Sequence, residues 1–147
     1  MRSFLIGLAL SLVTAAASAQ DLTTQQAATT AAIADSVSTY LAVASGATEV
    51  NPLVSANLGG LVMLAGVKLG ALEMIDNSDQ TEQEKNEQKR AATAMWGSFS
   101  VSNLLVALSA ASPIAILAGL ASGSYLWMNS HADDEAPAAP SALASSQ

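Results

Sequence analysis

The stretch Ala27-Ala28-Thr29-Thr30-Ala31-Ala32-Ile33-Ala34-Asp35-Ser36-Val37-Ser38-Thr39-Tyr40-Leu41-Ala42-Val43-Ala44-Ser45 is apolar or small throughout and carries a single charge, Asp35. Gly46-Ala47-Thr48-Glu49-Val50-Asn51-Pro52 closes it. A carboxylate in such a run costs free energy unless it is paired or solvated, so Asp35 is a functional-site hypothesis by default. Its residue types read as a helix in contact with other helices. The rest of the chain repeats the pattern.

Hydrophobic residues make up 51% of the 147, yet aromatics are only 4% and charged residues 12%. Soluble cores draw on more large side chains, and soluble domains carry about twice this share of charge. Abundant Ala, Gly, Ser and Thr suits helices that approach closely in lipid. The expected fold class is therefore all-α: an integral membrane bundle of two helical hairpins, about four transmembrane helices, following an N-terminal signal peptide.

Residues 1–19 have the grammar of that signal peptide. Arg2 supplies a positive start, Phe4 to Val13 an apolar stretch, and Ala17-Ser18-Ala19 a small-residue cleavage site. An uncleaved first membrane helix is the alternative, although the run is short for a span. Residues 20–128 form the expected helical membrane domain, with helices at about 27–45, 53–75, 94–110 and 113–128 and a polar loop over 76–92. Glycine at a helix C′ and proline opening the next helix make Gly46 to Pro52 a tight turn.

Within the polar stretch, Thr81-Glu82-Gln83-Glu84 fits a capping box, so the loop should become an exposed helical lead-in to the third apolar run. Ser112-Pro113 reads as an N-cap followed by the first helical residue. The third and fourth runs are near the lower limit for crossing ~30 Å of hydrocarbon at ~1.5 Å per residue. They span with thinning or form a re-entrant hairpin; one long kinked helix is the alternative. If Ser112-Pro113 is a turn, Trp96, Tyr125 and Trp127 share one membrane face as an interfacial belt. Residues 129–147 hold Asp133-Asp134-Glu135 followed by Ala, Pro and Ser, an expected disordered acidic tail in which the sole histidine, His131, is solvated.

Parity puts Gln20 to Gln26, the polar loop and the tail on the periplasmic side of a bacterial inner membrane. Lys85, Lys89 and Arg90 resist that assignment, because basic residues favour the cytoplasmic side.

Several function classes are excluded or disfavoured. The net charge of −7 opposes nucleic acid, whose phosphates need a basic face. With no cysteine there is no thiolate or disulfide chemistry. No Ser-His-Asp grouping, phosphate loop, dinucleotide fingerprint or His-based metal spacing occurs, so no catalytic residue, cofactor or metal is expected.

Three sets of residues remain. Lys68 is the only basic residue inside the four apolar runs, and helical rise puts it ~24 Å from the first hairpin's tip against ~16 Å for Asp35, a gap a lysine stem narrows. Such an intramembrane pair more often fixes helix register than does chemistry; a protonatable group on an ion or proton path is the alternative. Gly66-Val67-Lys68-Leu69-Gly70 and Gly119-Leu120-Ala121-Ser122-Gly123 are GxxxG motifs, with Ala115 extending the second by a turn. Each offers a flat groove to another backbone, through internal packing or through self-association.

The third set is Asp35-x-x-Ser38-Thr39 followed by Gly46-x-x-Glu49-x-Asn51-Pro52. It resembles a family of small polytopic bacterial membrane proteins of unassigned function, over roughly Ala31 to Leu64. The resemblance implies that Asp35, Thr39, Glu49, Asn51 and Pro52 form a shared polar core or hairpin tip. The signal peptide and the acidic loop depart from that family's pattern.

The leading expectation is a non-enzymatic inner-membrane protein that packs against itself or a membrane partner within the lipid bilayer. A holin-like lysis protein and an accessory subunit of an ion-coupled transporter are the alternatives.

Overall fold

The computed structural model describes residues 22–47, 57–108 and 112–131. Four α-helices and no strand occur among them: α1 Thr24–Ala44, α2 Leu58–Asp76, α3 Glu82–Ala107 and α4 Ser112–Ser130. The expected signal peptide, Glu49, Asn51 and Pro52, and the tail beyond His131 lie outside the described residues.

Local chemistry sets the helix ends. Thr23 and Gln26 form a capping box at α1, with Thr23 N–H donating to Gln26 Oε1 at 3.0 Å. At its other end Gly46 has φ +97°. Gly46 N–H donates to Val43 O at 3.0 Å and Ala47 N–H to Ala42 O at 3.0 Å, a Schellman motif that needs a left-handed C′ residue. Asn57 caps α2 through Gly60 N–H at 2.9 Å. The Thr81–Glu84 capping box is present, with Glu82 and Glu84 in the first turn against the helix dipole.

That box changes the expected layout. The stretch assigned as a loop over 76–92 is mostly helix, since α3 starts at Glu82 and runs 26 residues. Only Asn77 to Thr81 connects α2 to α3. Charged residues hid this helix, but they pair along it: Lys85 with Glu82 at 3.2 Å and Arg90 with Glu87 at 3.7 Å, both at i,i+3. The lead-in is not wholly exposed either. Lys89 is buried, its ammonium paired with Asp76 of α2.

α3 is the hub. It packs extensively against α1 and α4, and α2 touches α1 and, more lightly, α3. Thus α1 pairs chiefly with α3, two elements along, and the first two helices do not form a self-contained hairpin. The matching contacts at both ends give the directions. Ala28, Ala31 and Ala32 meet Trp96 near one end, while Thr39 meets Asn103 towards the other, so α1 and α3 run parallel. α2 and α4 run antiparallel to them.

The buried apolar cluster is small: Ala28, Ala31, Ala32, Leu72 and Trp96. Trp96 is 8% exposed, so it is not part of an outward belt with Tyr125, which is 63% exposed. Three alanines of α1 leave room that the indole fills. Among the described residues one helix, α2, is long and apolar enough to cross a membrane, with mean hydropathy 1.7. The other three, interrupted by charged residues in α3 and by serine, threonine or asparagine in each, do not reach that mark, so four such spans are not found among the described residues.

Candidate functional site

The α1 face that carries Asp35 is buried along its length through Ala28, Ala31, Ala32, Asp35, Ser36, Ser38 and Ala42. Steps of three and four residues keep these positions on one side of a helix. Asp35 is 4% exposed, at the point where α1, α2 and α3 meet. Lys68 Nζ donates to its Oδ2 at 2.5 Å and to Ser36 Oγ at 3.3 Å. From α3, Asn103 Nδ2 donates to Asp35 Oδ1 at 3.1 Å and to Thr39 Oγ1 at 2.8 Å. Thr39 Oγ1 donates to the same Oδ1 at 3.4 Å.

Both carboxylate oxygens therefore have partners, and so does the ammonium. A buried charge pair with its remaining valences filled is compatible with burial; one missing its partner is not. The two serines are also occupied. Ser36 Oγ donates to Ala32 O at 2.7 Å and Ser38 Oγ to Asp35 O at 3.0 Å, each bonding back along α1. Ser38 is thus beside the cluster, its hydroxyl bonded to the backbone of Asp35 rather than to the carboxylate.

The chemistry of this arrangement is that of a clamp. One carboxylate bonds Lys68 of α2, Asn103 of α3 and Thr39 of its own helix, and so ties three helices together. Among the described residues no group of three or more His, Asp or Glu side chains is placed to hold a metal ion.

Asn103 was missed in the sequence. The signal was there, since it is a polar residue inside the apolar run 94–110, the same argument that singles out Asp35. Ser36, in the same run as Asp35, bonds back to Ala32 O while also accepting from Lys68.

The two glycine pairs have different surroundings. A Cβ at Gly119 would lie 2.6 Å from Ser98 O, and one at Gly123 2.8 Å from Ser98 Cβ and 2.9 Å from Ala94 O. Ala94, Ser98 and Ser102 of α3 follow one another every fourth residue, opposite Ala115, Gly119 and Gly123 of α4. Ser102 Oγ donates across this seam to Ala115 O at 2.9 Å. Among the described residues, and apart from the adjoining backbone of α2 itself, nothing lies within 4 Å of a Cβ built at Gly66 or Gly70. Internal packing, expected of both motifs, thus holds for the second and fails for the first, because Lys68 and Leu72, on the other side of α2, are what face the bundle.

His131 departs from the expected solvated tail. α4 continues to Ser130, and the His131 ring contacts Glu87 of α3 and Trp127 O of α4. No protein-family model, curated protein or solved structure matches this chain, so the resemblance over Ala31 to Leu64 rests on its residues alone.

Proposed function

We propose that this chain is a small, non-enzymatic protein of a bacterial inner membrane that acts by packing its helices against itself or a membrane partner. The supporting observation is an inverted distribution of side chains. The buried positions hold Asp35, Lys68, Lys89, three serines and mostly alanine. The large apolar side chains point outward, among them Val62, Val67 and Met74 on α2 and Ile114, Leu117 and Met128 on α4. Met74 is 76% exposed and Leu117 67%. Apolar area in water costs roughly 25 cal/mol per Å², and soluble monomers rarely leave contiguous patches of this kind uncovered. Hydrocarbon removes that cost. It also makes a polar, small-residue interior the useful one, because helices in lipid gain by close approach and internal hydrogen bonds rather than by burying more apolar surface.

In this proposal Asp35, Lys68, Thr39 and Asn103 are a register clamp. The completeness of the cluster favours that role over an ion path, which would need a group free to exchange its partner. The charged C-terminal end of α2 and the charged first half of α3 gather, with His131 just past α4, on one side of the molecule, which we assign to the periplasm. Lys85, Lys89 and Arg90, which argue for the opposite side, each have an acidic partner. The unfilled Gly66–Gly70 face of α2 favours a self-associating variant of the same proposal, holin-like lesion formation.

Fractionation tests the proposal. The full chain, with a reporter fused after Gln147, should stay with carbonate-washed membranes, and the reporter should be active only in its periplasmic form. A soluble monomer recovered without detergent contradicts it. Induced expression that leaves the membrane potential intact removes the holin-like variant.

A further inference from the structure

His131 stands just past α4, and each nitrogen of its ring faces oxygen. Nε2 lies 3.0 and 3.3 Å from the two carboxylate oxygens of Glu87, across the α3–α4 interface. Nδ1 lies 2.8 Å from Trp127 O and 3.2 Å from Ser130 Oγ. Ser130 Oγ donates its only proton to Trp127 O at 2.8 Å, so towards the ring it can only accept. A neutral imidazole has one N–H and would leave one of these sides facing a lone pair with a lone pair. Only the imidazolium donates on both. The ring also lies against the Trp127 indole, centroids 4.5 Å apart, a placement that suits a cation.

We propose that His131 is a proton-operated latch that fastens the last turn of α4 to the charged first half of α3 and lets go when the ring becomes neutral. Among the described residues the charged groups facing the ring are Glu87 and Arg90 of α3, and α4 carries no charged side chain of its own. The backbone carbonyl of Trp127 and then the Glu87 carboxylate hold the imidazole pKa above its ordinary value, with Arg90 opposing. A raised folded-state pKa fixes the sign. The latch contributes fully below the unfolded value of about 6.5 and is lost as pH rises through the higher folded value. What it controls is the outer wall of a shallow groove between α3 and α4, where Trp127 and Met128 face Ala94, Met95 and Ser98. The latch does not depend on the membrane proposal, since it uses only contacts within the chain.

One titration tests it. His131 is the only histidine, so its ring resonances in the chain without a histidine tag are unambiguous. The latch requires a midpoint above about 6.5, a lower midpoint in Glu87→Gln, and an indole N–H resonance of Trp127 that shifts with the same midpoint. Trp127→Phe identifies that resonance. Circular dichroism confirms that Glu87→Gln, altered at a half-exposed carboxylate, keeps its helices. A midpoint at or below the ordinary value, no change in Glu87→Gln, or a Trp127 indole indifferent to pH would each overturn the latch.

Discussion

α2 and α4 look interchangeable in sequence. Each has 19 residues, a GxxxG pair and a largely apolar exterior. Yet they are attached by different physics. α4 is seated by close approach, its two glycines letting the Ala94, Ser98 and Ser102 row of α3 come within contact of its backbone. Among the described residues α2 has no such seam at its own glycine pair. It is held by two charge pairs, Asp35–Lys68 and Asp76–Lys89, and by one large buried side chain, Leu72. A glycine pair therefore marks a surface where close packing is allowed, and the opposing residues decide whether it happens.

The strongest way to break this comparison is to cut the ion pair that holds α2. Lys68→Met leaves Asp35 buried without its charge partner, which should cost about 3–5 kcal/mol. Detergent-unfolding curves followed by circular dichroism would read it, and restoring part of the loss with Asp35→Asn in the same chain would show that the unpaired charge is the cause. An unchanged curve would mean that α2 is held by something else.

Next in size is the seam. Gly119→Val or Gly123→Val must push Ser98 or its carbonyl aside, at a cost of about 1–3 kcal/mol by overpacking. The same unfolding curves measure it, and the loss should come with altered Trp127 fluorescence, since α4 is the helix displaced.

A smaller effect belongs to the start of α3. Thr81→Ala removes the N-cap hydroxyl and should cost about 1 kcal/mol. Hydrogen bonds from the Thr81 side chain and backbone hold the Glu84 carboxyl below its ordinary value. A depressed folded-state pKa means that its contribution is present above the unfolded value of 4.5 and fades as pH falls through the lower folded one. Thr81→Ala should flatten that part of the stability profile between about pH 5 and 3.

The smallest change sharpens the contrast most cleanly. Gly66→Ala and Gly70→Ala add a methyl to open space in a helix, so each should leave the fold intact and gain up to about 1 kcal/mol in helix propensity. A loss comparable to that of Gly119→Val would show that a second surface covers the α2 face.

Much of this arrangement could be read beforehand, and the failures have physical causes. Asp35 was conspicuous because charge is rare in an apolar run, and Lys68 was the one residue able to answer it there. The caps at Gly46 and Thr81 were legible because a few residue types serve those geometries. The start of α3 was obscured because Glu, Gln, Asn and Lys are shared by loops and exposed helices, and only the pairing of Lys89 with Asp76 and of Glu87 with His131 makes that segment a buttress. Trp96 was misplaced for a different reason. Whether an aromatic faces lipid or a neighbouring helix depends on the room left opposite, here by Ala28, Ala31 and Ala32. Which glycine pair is filled depends likewise on a distant segment.

The central claim is that the apolar exteriors of α2 and α4 face hydrocarbon while the polar cluster lies inside. The chain has no cysteine, so single spin labels can be placed at will. The full chain in lipid vesicles, labelled in turn at Val67→Cys and Leu117→Cys, should give high relaxation by dissolved oxygen and little by a water-soluble nickel chelate. Strong relaxation by the chelate at both positions, or failure of the chain to enter the vesicles, would contradict the account.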